Sequence, residues 1–133
     1  MKYFTLFILL TLVNIIDAQD TAVVRPCNQI PIANAETKAS FDGKIEKFVG
    51  DSLKSDLKRG THSAVFKLMI DCNGIVSKIT YQSGTFSESN QKLFIGLFSN
   101  SKWKPAIEKS VNVTSFVFVT INIVNSKSTV MVQ

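Results

Sequence analysis

From Phe41 onward the chain switches between two hydrophobic periods. Phe41, Ile45, Phe48, Val49, Leu53 and Leu57 recur mostly three or four positions apart, the single apolar stripe of an amphipathic helix. Ser40 or Asp42 can cap its start, Lys54, Lys58 and Arg59 complement its negative end, and Gly60 can close it in a left-handed conformation. The period then shortens to two. In "AVFKLMIDCNGIVSKITYQ", a hairpin closed on Asn73 and Gly74 pairs Cys72 with Ile75, Ile70 with Ser77, Leu68 with Ile79 and Phe66 with Tyr81 on one face. Val65, Lys67, Met69 and Asp71 fall on the other face, opposite Val76, Lys78, Thr80 and Gln82. One buried and one partly wet face is the pattern of an antiparallel pair covered on one side.

A second helix is expected after the Ser83-Gly84 loop. Ser87 or Ser89 caps it, Glu88 lies in its first turn, Leu93, Phe94, Leu97 and Phe98 face inward, and Asn100 stops it. "SKWKPA" follows, then a turn around Glu108 to Ser110, then "VNVTSFVFVTINIV", whose β-branched and aromatic content predicts a strand. Of its two columns, Val117, Val119, Ile121 and Ile123 are assigned to the core, and Phe116, Phe118, Thr120 and Asn122 to the other face. Residues 19–40, with Pro26 and Pro31, carry no sustained period and read as an irregular leading segment. Residues 127–133 are expected to form a frayed tail. The domain over 41–126 therefore reads as α+β: a small antiparallel sheet of about three strands with two helices on one face, in the order α-β-β-α-β.

The amino-terminal end has a different character. Lys2, an apolar run from Tyr3 to Ile16 and then Asp17-Ala18 have the three regions of a secretory signal, with cleavage expected after Ala18. The run is interrupted by Thr5, Thr11 and Asn14 and is shorter than the roughly 20 apolar residues that a spanning helix needs, so removal is the expectation, a retained anchor the alternative, and no membrane span is expected once residues 1–18 are removed. Removal takes away Lys2 and Asp17 and leaves a net charge of +5. The lysines are scattered and only Arg25 and Arg59 are arginines, a distribution that does not favour nucleic acid and supports only weak attraction to anionic envelope surfaces.

Export changes the reading of Cys27 and Cys72. Two cysteines in an oxidising compartment are compatible with one disulfide or with two unpaired thiols, the disulfide being the expectation. Such a bridge would pin the leading segment across one end of the sheet. One histidine, His62, and two distant cysteines do not make a zinc set, and no metal or cofactor is expected. There is no phosphate-binding loop, no helix-borne metal pair and no nucleophile elbow. His62 next to Ser63 is too local to make a nucleophile and base, and Asp71 beside the hairpin reads as turn chemistry. No catalytic residue is expected.

The Asn-Gly hairpin, the Ser-Gly loop, an amphipathic helix, "WKPA" and a β-rich end together resemble the C-terminal domain of TonB-type energy transducers, over roughly residues 41–124. The resemblance implies a periplasmic module that pairs with a short peptide of outer-membrane receptors. It places Gly74 on the hairpin glycine, Trp103, Pro105 and Ala106 on the motif before the last strand, and residues 116–123 on the strand that recruits the peptide. Glu108, Lys109 and Ser110 stand where the family usually has a glycine. No proline-rich spacer is present, which implies a free-standing, exported form in the periplasm or cell envelope.

On this reading the partner-binding residues are Trp103, Lys104, Phe116, Phe118, Thr120 and Asn122, acting by strand addition at the border of the last strand. Trp103 has a second reading as a lid over the core, and Phe116 and Phe118 a second reading as packing for Val65 and Met69. The border itself has alternatives in homodimer pairing and in shielding by the tail and Lys127. The competing function is a secreted structural or self-associating basic envelope protein.

Overall fold

A computed structural model describes residues 26–28 and 30–133; the signal expected over 1–18 lies outside them. In chain order the elements are strand β1 (Ser40–Phe41), helix α1 (Ile45–Gly50), strands β2 (Thr61–Ile70) and β3 (Val76–Gly84), and helix α2 (Glu88–Ser99). Strands β4 (Trp103–Lys104), β5 (Ala106–Glu108), β6 (Val111–Val113), β7 (Ser115–Val124) and β8 (Lys127–Val132) follow. The class is α+β, with a four-stranded antiparallel sheet in the order β3-β2-β7-β8 and two small ladders, β1-β4 and β5-β6.

The first helix is shorter than its stripe suggests. Only 45–50 is helical, Lys44 precedes it without a side-chain cap, and Phe41 belongs to β1 instead. Tight turns carry the same spacing onward: Leu53 N–H donates to the Gly50 carbonyl and Leu57 N–H to the Lys54 carbonyl. Leu53 and Leu57 therefore reach the core although no helix runs beneath them. Gly60 does adopt positive φ, at 76°.

The hairpin between β2 and β3 keeps the expected pairs Phe66–Tyr81 and Leu68–Ile79, but its tip differs. Gly74 N–H donates to the Asp71 carbonyl and Asp71 N–H to the Ile75 carbonyl, which makes Cys72, Asn73 and Gly74 a three-residue loop. Only Gly74, at φ 78°, is left-handed. The Asp71 carboxylate accepts from the N–H groups of Asn73 (2.8 Å) and Ile75 (2.9 Å), favouring this turn over the two-residue form in which Asn73 would also need positive φ. Ile70 consequently pairs with Val76, not Ser77, and the ladder is bulged there and again between Val65 and Phe66.

Helix α2 follows expectation. Ser87 Oγ accepts from the Asn90 N–H, Asn100 ends the helix, and Phe94 and Phe98 are fully buried against Phe66. Leu93 and Leu97 sit at its half-buried margin.

Residues 127–132, expected to fray, form β8. Asn125 and Ser126 take positive φ (46° and 73°) and close a hairpin of β7 onto β8, with Ile121 opposite Val130 and Val119 opposite Val132. The sheet thus has four strands where three were expected. Val117, Val119, Ile121 and Ile123 are buried, as their unbroken aliphatic column predicted.

Candidate functional site

The "SKWKPA" segment builds the end of the core. Trp103 is 5% exposed, lies edge-on to Phe41 with ring centroids 5.4 Å apart, and donates its indole N–H to Ser101 Oγ at 2.9 Å. Its backbone pairs with β1, while Lys102 and Lys104 on either side are exposed. Pro105 separates β4 from β5, where Ala106 is fully buried. Trp103 is a lid on the core, and its ring does not join the surface formed by the other expected contact residues.

The leading segment is fastened to the same end. Cys27 and Cys72 form a disulfide, the Thr114 N–H donates to Asn28 Oδ1 at 2.7 Å, and the Ile32 N–H donates to the Thr114 carbonyl at 2.9 Å. Thr37 and Ile107 exchange backbone hydrogen bonds of 3.0 and 2.9 Å. Near the bridge a hollow of about 630 Å³ is lined by Pro26, Cys72, Asn73, Pro105, Ser110, Val111 and Asn112, none of them an ionisable group.

Phe116, Phe118, Thr120 and Asn122 do lie together, on the sheet face opposite the buried column. Cross-strand register places Lys67 beside Phe118, Met69 beside Phe116 and Val65 beside Thr120, with Met131 flanking Thr120 from β8. Phe118 is 40% and Met131 48% exposed, so this face is open apolar surface. The Lys67 ammonium stands 4.0 Å from the centre of the Phe116 ring and 5.7 Å from that of Phe118, within cation–π range of both. Sequence reasoning put Lys67 on the wetter face but not under these rings, because that contact depends on the non-local pairing of β2 with β7.

The border expected to recruit a peptide is elsewhere. Strand β7 is paired along β2 on one side and, from Phe118 to Val124, with residues 127–133 on the other, so residues 118–123 offer no free backbone edge. The borders of the main sheet are β3 and β8.

Two polar features complete the description. His62 Nε2 lies 2.7 Å from the Arg59 carbonyl, a local turn contact. Asn90, almost fully buried, donates from Nδ2 to Asp56 Oδ2 at 2.7 Å and so holds that carboxyl below its ordinary range. Among the described residues no three His, Cys, Asp or Glu side chains cluster to hold a metal, and no helix is long and apolar enough to cross a membrane. Comparison with family models, curated proteins and solved structures found no match.

Proposed function

We propose that this chain is an exported protein-binding module, of the kind its resemblance to the TonB C-terminal domain implies, which takes up an extended segment of a cell-envelope protein as an additional strand. The border at β8 carries the reading. Phe118 and Gln133 exchange both backbone hydrogen bonds, at 2.8 and 2.9 Å, which fixes alternation along β8 and turns the N–H and C=O groups of Ser128, Val130 and Val132 away from β7. No register shift interrupts β8, whereas β3 is bulged twice, a device that discourages strand pairing; each of the two strands carries one lysine, Lys127 and Lys78. An incoming strand would continue the open face beyond Met131 and Thr129. The disulfide supports an oxidising compartment, consistent with export to the periplasm or envelope.

The test is a pull-down from envelope extract with residues 19–133 as bait, followed by hydrogen exchange on the bait with each captured protein. A receptor segment added at β8 slows exchange of the Ser128, Val130 and Val132 amides, and Val130→Pro, which removes one outward donor, abolishes capture. Recovery of the bait alone, with the same three amides protected in a concentration-dependent manner, would assign the border to a second copy of the chain. Protection confined to other strands would refute the reading.

A further inference from the structure

The open face has relief as well as exposure. The leading segment runs across one end of it, and two hollows result, one on each side of the Phe116 ring and the Lys67 ammonium. The first, of about 310 Å³, is lined by Lys38 and Lys67, by Ala33, Ala35, Phe116 and Phe118, and by the polar Asn34, Ser115 and Gln133. The second, of about 340 Å³, has Lys67 and Lys78 with Pro31, Met69, Thr80 and Phe116. Each hollow therefore joins two lysine side chains to aromatic and aliphatic groups, and Lys67 is common to both. No carboxylate side chain lines either one. The ion pairs among the described residues, Lys47–Asp51 and Lys92–Glu88, lie on the helices, so neither Lys38, Lys67 nor Lys78 is neutralised in this way.

Charge and shape together select the occupant. Three cations set beside Phe116, Phe118 and Met69 complement an anionic group attached to apolar matter. Side chains two positions apart in an extended segment project on the same side at a spacing of roughly 7 Å, and such a segment can offer two acidic groups to neighbouring hollows. The geometry points to a second binding surface, distinct from the β8 border: the two hollows beside Lys67 receive acidic side chains of an extended, partly apolar protein segment. Lys67 anchors both acidic groups, Lys38 and Lys78 hold one each, and Phe116, Phe118 and Met69 supply the apolar contact. With its charge spread between two aromatic rings, Lys67 is held in place before the partner arrives.

The test uses the exported protein and a fluorescein-labelled extended peptide whose alternate positions carry two glutamates and then two leucines, with threonines between them, so that acidic and apolar side chains share one side, read by fluorescence anisotropy. Binding that weakens with added salt is expected, with an affinity loss of about tenfold or more for Lys67→Gln, as for loss of a hydrogen bond to a charged group. A smaller loss is expected for Lys78→Gln, recovery for Lys67→Arg, and less than about twofold change for Lys54→Gln, which alters the same net charge elsewhere. Circular dichroism of each variant verifies that the fold is retained. Equal losses for Lys67→Gln and Lys54→Gln would overturn the proposal, as would absence of binding. Loss with Val130→Pro but not with Lys67→Gln would place the peptide at the β8 border and also overturn it. Binding to phosphatidylglycerol vesicles, lost in Lys67→Gln, without binding to the peptide would assign the face to a membrane surface instead.

Discussion

The Trp103 N–H donates to the Gly74 carbonyl at 3.2 Å, and the Trp103 carbonyl oxygen fills the space where any residue other than glycine at position 74 would carry its Cβ. The hairpin tip and the "SKWKPA" segment are thus fitted backbone to backbone. Position 74 needs glycine twice over, for its φ of 78° and for this close approach. Gly74→Ala is expected to cost at least about 2 kcal/mol in urea unfolding. Trp103→Ala, which empties a buried site between Phe41 and the core, is expected to cost about 3–5 kcal/mol. A Trp103→Ala variant of unchanged stability would contradict the lid assignment.

The Cys27–Cys72 bridge closes a span of 45 residues. On loop-closure grounds its removal by Cys27→Ser with Cys72→Ser should lower stability by about 3–4 kcal/mol. Differential scanning calorimetry checks this. Mass spectrometry of the exported protein without reductant should show the mass of the oxidised form.

Acid should weaken the fold in part through Asp56. Its carboxyl is held below the ordinary value of 3.8, chiefly by the hydrogen bond from Asn90. A depressed folded-state pKa means that this stabilisation is present at pH above 3.8 and is lost as pH falls below it towards the folded-state value. Asp56→Asn should therefore unfold at a lower urea concentration than the natural protein at neutral pH, and the difference should shrink on acidification. A difference independent of pH would show that the carboxylate charge contributes nothing. Asn90→Ala should also remove the pH-dependent part, and it leaves a small cavity besides.

Ending the chain at Ser126 removes β8. Val130 and Val132 would no longer cover Ile121 and Val119, and the long hydrophobic β7 would become a border. We expect a loss of at least about 2 kcal/mol and a shift to higher oligomers in light scattering.

Signals that are local were legible in the sequence. Ser87 and Asn100 mark α2 because a cap is a contact within one turn, and the alternation from Val117 to Ile123 marks β7 because one face of the strand is wholly buried. The stripe from Phe41 to Leu57 was legible as burial but not as helix, since turns with three-residue hydrogen bonds present Leu53 and Leu57 at nearly the same spacing. The strand β8 also has a local signal in the sequence. Asn125-Ser126 between two β-branched runs is a hairpin turn, and Thr129, Val130, Met131 and Val132 alternate across the sheet. Missing it made β7 an edge in expectation when it is an interior strand. The turn at Lys109 and Ser110 achieves positive φ (48° and 62°) without a glycine. The hollows beside Lys67 were not legible, because they join the leading segment to β2, β3 and β7 across most of the chain.

The bond between positions 27 and 72 also sets a mechanical route. A pull on the chain ahead of Cys27 enters the domain directly at the hairpin tip, and the 45-residue span between the two cysteines is withheld from the tension while the bridge is intact. With the bridge reduced, unfolding of the domain under load would also draw out that span, β2 included, and add roughly 150 Å of contour length.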